Sequence, residues 1–537
     1  MLSVRADALW LCVVATAAAG LCGLPYLASA VFGPVELQRI GTFWFVRDFS
    51  QYQAAMREGA RQSGWLIHDH FSAEPHAAAL VYPLYVAAGK LSALLGLNGQ
   101  TVFVALEWIG RAAVVAAAYA FSSTFVKPMR QRRLAVLLTL ATLGLDALGA
   151  LLRMLLDASG VNVFDGLLPQ TINPYLEMSS LGVLLSAPHL MLGLALTLVC
   201  APLYLGAIQG RGGGLALLGA AMLGLSLVHA FNAPMLVSVL VAHAAVTGRR
   251  AWPAAIVAGL AAAPMAVYSL LLFQADAFWA GTYGAQNIMP APAPWSLPLD
   301  FGLVMLAAPL AWPVVRRWPS ERRWLLLLWV GLGLVWMYAP VPYQRRFGFG
   351  VQPGLAVLGA IGLFEVDASV RIHHLRVVWR RLISYSAIIA GISTSLLVYV
   401  SVLVSAMLNH PAEVYLWSRP EAAAAAWLGA NSTAQDVVLA SVEFGNPLAG
   451  AIDGRVVDGH TVATLHSAQK DALVHSFYAF DAPVQERTDI VQRTGATIIA
   501  LGPAERALGA TELSSQPGFH MVYDRQGVQL FRVVAQA

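Results

Sequence analysis

Charge is scarce in this chain: 12% of its 537 residues are Asp, Glu, Lys or Arg, against 58% hydrophobic. That balance, with a mean hydropathy of +0.64, lies well outside soluble globular usage. Cysteine is nearly absent. Cys12, Cys22 and Cys200 all fall inside apolar runs, and there is no CxxC or Cys/His cluster. Disulfide frameworks, thiol chemistry and zinc sites of the cysteine type are therefore not indicated. No internal repeat, low-complexity linker or Ser-His-Asp spacing occurs, and Gly502-Pro503-Ala504-Glu505-Arg506 reads as a strand-to-helix turn without a GxGxxG or Walker pattern. The formal charge of +4 is explained mostly by membrane orientation, so no nucleic-acid partner is expected.

What the chain has in abundance is apolar runs. A span needs about 20 such residues, and runs of that kind fall near residues 8–31, 101–126, 134–152, 181–208, 214–229, 232–247, 252–273, 299–315, 324–340, 350–367 and 383–408. The first lacks a convincing cleavage site and is expected to be retained. A further run, residues 76–97, is long enough to cross. If it does not cross, Arg5, Lys127 to Arg133, Arg211, Arg249-Arg250, Arg316 to Arg323 and Arg371 to Arg381 all face inward, carrying twice the Lys and Arg of the outward loops. Counting it as a span reverses that bias. Residues 76–97 are therefore expected to form a helix at the outer face, with Pro83 and Lys90 as its irregular features.

The expected fold is mainly α: a polytopic bundle of about eleven membrane helices over 1–408, including outer loop 32–100, followed by an extracytoplasmic α/β domain over 409–537. The N-terminus is expected inside, with outward loops at 32–100, 153–180, 274–298 and 341–349. In the tail, 421–428, 463–478 and 483–494 read as helices and 436–440 and 497–501 as buried strands. Residues 521–523 with 528–534 read as a closing hairpin.

Polar chemistry gathers in the outward loops. Arg47-Asp48-Phe49-Ser50-Gln51-Tyr52 opens the first, which continues through Trp65, His68-Asp69-His70 and Glu74-Pro75. A carboxylate here, just outside the first span, is a candidate base, the alternative being a solvated loop acid. His68 and His70 share one side of an extended segment and are candidate ligands for a divalent cation, the one cofactor the pattern raises. In the second loop Asp165 or Glu177 is a candidate second acid, with Asp165 favoured by its mid-loop place. His229 sits at an outward turn, and Glu107 and Arg111 are spaced to pair on one helix face. Arg345-Arg346 breaks the positive-inside trend in a short outward loop; two adjacent guanidiniums suit phosphate, with Lys90 a second candidate. In the tail, Val457-Asp458-Gly459-His460-Thr461 is compact and polar, explained as well by a capped turn as by catalysis.

Asp48 with Tyr52, then Gly64-Trp65, Glu74-Pro75 and Pro83, in an outer loop between the first span and many others, resembles the GT-C class of polytopic membrane glycosyltransferases, in a bacterial branch. The pattern departs from several subfamilies. Asp48-Phe49 stands where many relatives carry Asp-Glu, the Lys-Pro-Pro element of the aminoarabinose and mannosyl branches is absent, and so is the Trp-Trp-Asp signature of oligosaccharyltransferases. The resemblance implies an inner (plasma) membrane enzyme that transfers a hexosyl or pentosyl group, with inversion, from a polyprenyl-phosphate sugar. Its acceptor would be an extracytoplasmic cell-envelope glycan, lipid or protein, and membrane lipids would surround it. In that reading Asp48 is the base and Arg345 and Arg346 stabilise the departing phosphate, while Tyr52, Lys90, His229 and Glu74 contact substrate or phosphate. A transporter or flippase of a lipid-linked anion is the main alternative, and a non-catalytic scaffold a third; the missing repeat speaks against transport.

Overall fold

The computed structural model describes residues 2–34, 37–39, 42, 46–158, 175, 178–372, 377–408, 416–510, 513, 516 and 518–534. The chain divides into two compact units, one of residues 1–27, 105–267 and 289–404, the other of residues 28–104, 268–288 and 405–537. The outer loop that precedes the second span thus shares a unit with the tail.

Among the described residues six helices are long and apolar enough to cross a membrane: Asp7–Phe32, Gly99–Phe125, Pro188–Ile208, Arg249–Ala275, Gln344–Glu365 and Ile388–Met407. Met129–Ala141 and Asp146–Leu156, bent by 58° at their junction, make a seventh if they form one span. The shorter apolar helices Gly214–Val228, Asn232–Thr247 and Leu303–Val315, and the helix Ser320–Trp336, lie at the other expected runs. Every expected run therefore meets a helix, although length and composition qualify six or seven rather than eleven. The chain is a multi-pass membrane protein. Within the first unit the expected Glu107–Arg111 pair forms at 3.4 Å, and Arg111 Nε also donates to the Leu184 carbonyl at 3.1 Å. Burying both charges together is what makes either tolerable in apolar surroundings.

The second unit is a three-layer α/β domain with the outer loop packed on it. Its five-stranded sheet runs, edge to edge, Arg455–Val456, Val437–Leu439, Ile498–Leu501, Val528–Val533 and Phe519–Arg525. The first three strands are parallel and the last two close an antiparallel hairpin. Alternation along the strands sends Val438, Ala440, Ile498, Ala500 and Leu530 to one face, against Leu428, Phe444 and Leu448. Val437, Leu439, Ile499, Leu501 and Phe531 go to the other, against Val474, Phe477 and Ile490. Both faces are buried, which is why the central strands read as unbroken apolar runs. Two helices, Val442–Ala451 and Pro503–Ala507, and the short strand Arg455–Val456 go beyond the sequence reading.

The expected helix over 76–97 begins only at Pro83 and ends at Leu95. Proline lacks the N–H that would continue a helix from the preceding turn, and Tyr82 before it adopts φ 52. Residues upstream are instead extended, with Ile67 and Ala79 bridged through paired backbone hydrogen bonds of 2.9 Å. The Pro83–Leu95 helix crosses Val46–Arg61 at two glycines: a Cβ on Gly59 would strike the Val86 backbone, and one on Gly89 the Met56 carbonyl. That approach lets Tyr52 stack on Tyr85 with ring centroids 4.4 Å apart.

Gly89→Ala is expected to destabilise the protein by about 1–3 kcal/mol, the usual cost of forcing extra volume into a packed contact. Thermal unfolding in detergent should show a lowered midpoint. Gly64→Ala, where the nearest atom to a new Cβ is a Gln62 side-chain oxygen at 3.7 Å, should leave it unchanged.

Candidate active site around Asp48

Asp48 lies in the first turn of the helix Val46–Arg61, where the exposed N–H groups of the helix end favour a negative charge. One side of this helix, through Phe49, Tyr52 and Met56, packs toward the Pro83–Leu95 helix and Phe103. Another, through Ser50 and Ala54, meets the tail domain. Asp48 is left at the boundary, its side chain 34% exposed.

The carboxylate is held from the tail. His460 Nε2 lies 2.9 Å from Asp48 Oδ1, although 412 residues separate them in sequence. The other ring nitrogen, Nδ1, faces the backbone N–H groups of Val462 at 3.1 Å and Ala463 at 3.3 Å. Two donors pointing at Nδ1 leave it as an acceptor, so the proton of the neutral ring sits on Nε2 and is donated to Asp48.

The loop that carries His460 is itself fixed on every side. Thr464 Oγ1 accepts from the Gly459 and His460 N–H groups at 3.0 and 2.9 Å and donates to the Phe71 carbonyl at 2.5 Å. Asn446 Nδ2 donates to the carbonyls of Arg47 (3.0 Å) and Gly459 (2.8 Å), while its oxygen accepts from Ser50 Oγ at 2.9 Å. One amide thus ties the start of the Asp48 helix to the His460 loop. Gln286 donates to the carbonyls of Val462 and Thr464 and accepts the His466 N–H at 2.8 Å. Arg47 pairs with Glu443 at 3.3 Å beside this cluster.

The remaining residues of the outer loop serve as its frame. His70 is buried between Glu58 and the Gly454 carbonyl, each 2.7 Å from a ring nitrogen, whereas His68 is exposed. Among the described residues no group of three or more His, Cys, Asp or Glu is arranged to hold a metal ion. His70 also accepts the Val456 N–H on its carbonyl at 2.9 Å, and Ser72 bridges to Asp458, so this segment covers the sheet edge. Glu74 pairs with Lys470 at 2.5 Å and accepts from Ser72. Burial opposes the Glu74 charge, but the Lys470 ammonium and Ser72 hydroxyl outweigh it and hold the carboxyl below its ordinary value. Lys90 Nζ donates to the carbonyls of Gln62 (2.7 Å) and Ser63 (3.0 Å) and lies over the Trp65 ring, capping the end of the Asp48 helix. Tyr52 is buried in the helix crossing.

In the other unit, Arg345 and Arg346 stand on a short 3₁₀ turn, Gln344–Gly348. Both are half-buried, Arg345 over the Tyr175 ring at 4.7 Å and Arg346 over Phe231 at 4.8 Å. An aromatic face attracts a guanidinium through its ring electrons. His229 is buried and stacked on Phe349 at 4.4 Å, and its Nδ1 has no hydrogen-bond partner among the described residues. Asp165 and Glu177 lie outside the described residues.

Sequence reasoning singled out the stretch containing His460 but not its role. No local signal links the two ends of so long a separation; only the docking of the tail reveals it.

No protein-family model matches the sequence, and no curated protein matches it. Among solved structures, the oligosaccharyltransferase AglB of Archaeoglobus fulgidus, in complex with Zn and sulfate, superposes with a TM-score of 0.55 at 11% identity, over 97% of this chain and 73% of that one. The same archaeal enzyme in complex with an inhibitory peptide and a dolichol-phosphate gives 0.51 at 11% identity, over 98% and 74%. The arabinofuranosyltransferase AftD from Mycobacteria gives 0.56 at 14% identity, over 98% of this chain and 40% of that one. The chain therefore has the GT-C fold.

Asp458, beside the His460 loop, is almost wholly buried, and burial together with the Asp471 carboxylate pushes its carboxyl from 3.8 up to about 6. Between those values the folded chain binds more protons than the unfolded chain, so this group's penalty is absent below about 4, grows as pH rises and is complete above about 6. Asp458→Asn removes it. The variant should unfold at a higher temperature than wild type at pH 8, by up to about 3 kcal/mol of stability, with the difference vanishing near pH 4.

Proposed function

We propose that this protein is a membrane glycosyltransferase that moves a sugar from a polyprenyl-phosphate-linked donor to an extracytoplasmic acceptor, with Asp48 as the general base. The single observation that carries the reading is the Asp48 carboxylate, partly open to solvent while a neutral imidazole holds one of its oxygens at 2.9 Å. A carboxylate in that state can take a proton while its orientation is fixed. The GT-C fold supports the donor class, since the archaeal neighbour carries a dolichol-phosphate and a peptide in one of its structures. The Zn in another keeps a divalent cation as a proposed cofactor, but the expected His68–His70 pair does not fit it, since both ring nitrogens of His70 are taken by Glu58 and the Gly454 carbonyl.

The reaction follows from these groups. Asp48 accepts the proton of the acceptor hydroxyl as that oxygen bonds to the anomeric carbon. The bond from that carbon to the phosphate oxygen breaks with inversion, and the electron pair leaves on the polyprenyl phosphate. Arg345 and Arg346 stabilise the charge that grows there. Tyr52, Lys90 and Glu74 hold the Asp48 helix and its loop in place, His229 contacts substrate, and Asp165 or Glu177 supplies a second acid. The sugar is a hexose or pentose. The bundle lies in the inner membrane with the N-terminus cytoplasmic and the tail domain outside.

Purified protein in lipid, given a panel of polyprenyl-phosphate sugars and envelope acceptors, should transfer sugar and release free polyprenyl phosphate. Asp48→Asn should lower that rate by roughly 10²–10⁴-fold with an unchanged unfolding temperature. In the same assay, Arg345→Ala with Arg346→Ala should raise the KM for donor. Equal rates for wild type and Asp48→Asn would remove Asp48 as the base, and wild type inert towards every donor would count against the transferase reading.

A further inference from the structure

From the tail's grip on the Asp48 carboxylate, we infer that His460 is a positioning residue of the active site, and that the tail domain supplies it. The inference rests on Asp48 being the base.

Three features of the geometry assign the role. His460 is buried, with 6% of its side chain exposed, and its Nε2–H ends on Asp48 Oδ1. Its Nδ1 is occupied by the Val462 and Ala463 N–H groups, so the ring has no free lone pair with which to take a proton from an acceptor. His460 therefore works through Asp48, not on substrate. The loop presenting it is pinned by Asn446, by Gln286 and, through Thr464, by the Phe71 carbonyl, which fixes where the N–H points. A core histidine needs a partner for each nitrogen, and buried carbonyls would serve as well. Here the partner chosen for Nε2 is a half-exposed carboxylate at a helix N-terminus.

The chemical consequence is selective. A donor on one oxygen confines the carboxylate to a single rotamer and leaves the other oxygen to meet the acceptor hydroxyl. The other charges about this pair are Asp69, whose carboxylate interacts with His460, and the Arg47–Glu443 ion pair. The Lys470–Glu74 pair and Asp458 lie behind the loop. None of these donates to Asp48 among the described residues, so His460 is what the carboxylate loses when the ring is removed.

The test compares wild type, His460→Ala, His460→Gln and Asp48→Asn in the transfer assay from pH 4 to 9, with unfolding temperatures measured alongside. Gln places an amide N–H near the position of Nε2, and Ala places nothing there. His460→Ala should lower kcat by about tenfold to a hundredfold, the range expected for a misoriented reacting group, with little change in donor KM. His460→Gln should restore most of the lost kcat. A folded His460→Ala variant with wild-type kcat, or a loss of kcat that Gln does not rescue, overturns the role of His460 alone. An Asp48→Asn variant as active as wild type overturns the base and the positioning residue together.

Discussion

A hydrogen bond between residues 412 positions apart fixes the one carboxylate on which the proposed chemistry turns. For the bond to exist, the Asp48 helix, the His460 loop and the helix Val442–Ala451 must meet in one arrangement. The second unit is built to secure this. Asn446 bonds to both the helix start and the loop, Gly450 lies against the Ser50 backbone where a Cβ would have only 3.0 Å, and Arg57 and Arg61 both reach Asp453. Buried polar contacts of this kind cost desolvation and add little net stability, but they tolerate few alternative arrangements. The tail is therefore part of the site's frame and not a separate appendage.

The two arginines in the first unit show a different solution to holding charge. Arg345 and Arg346 rest on aromatic faces, which offset part of the desolvation of a half-buried guanidinium. His229, neutral and stacked nearby on Phe349, adds a polar atom without adding repulsion.

Much of this was legible in the sequence, and what was missed has physical reasons. Every apolar run met a helix, but run length alone does not tell a full span from the shorter helices such as Gly214–Val228 and Asn232–Thr247. Strands Val437–Leu439 and Ile498–Leu501 stood out because both faces are buried. The helix Val442–Ala451 went unread, since Gly445, Asn446 and Pro447 are residue types common in turns; Ser441 caps it, and Gly445 is small because the Asp458 carbonyl leaves no room for a Cβ. Residues 76–82 look helical by composition, yet Pro83 and the sheet-like pairing of Ala79 with Ile67 decide otherwise. At the candidate site, Asp48 stood out as a candidate base from its place after the first span. Its partner was not, because periodicity and motif spacing are local and this contact is set only by tertiary docking.

The account stands or falls most directly on whether Asp48 and His460 act as one unit. Single-turnover transfer with radiolabelled donor, measured for wild type, each single variant (Asp48→Asn, His460→Ala) and the double variant, reads that coupling. If His460 works through Asp48, removing the ring costs nothing further once the carboxylate is gone, and the double variant equals Asp48→Asn. Losses that multiply would mean the two residues act independently and would contradict the account.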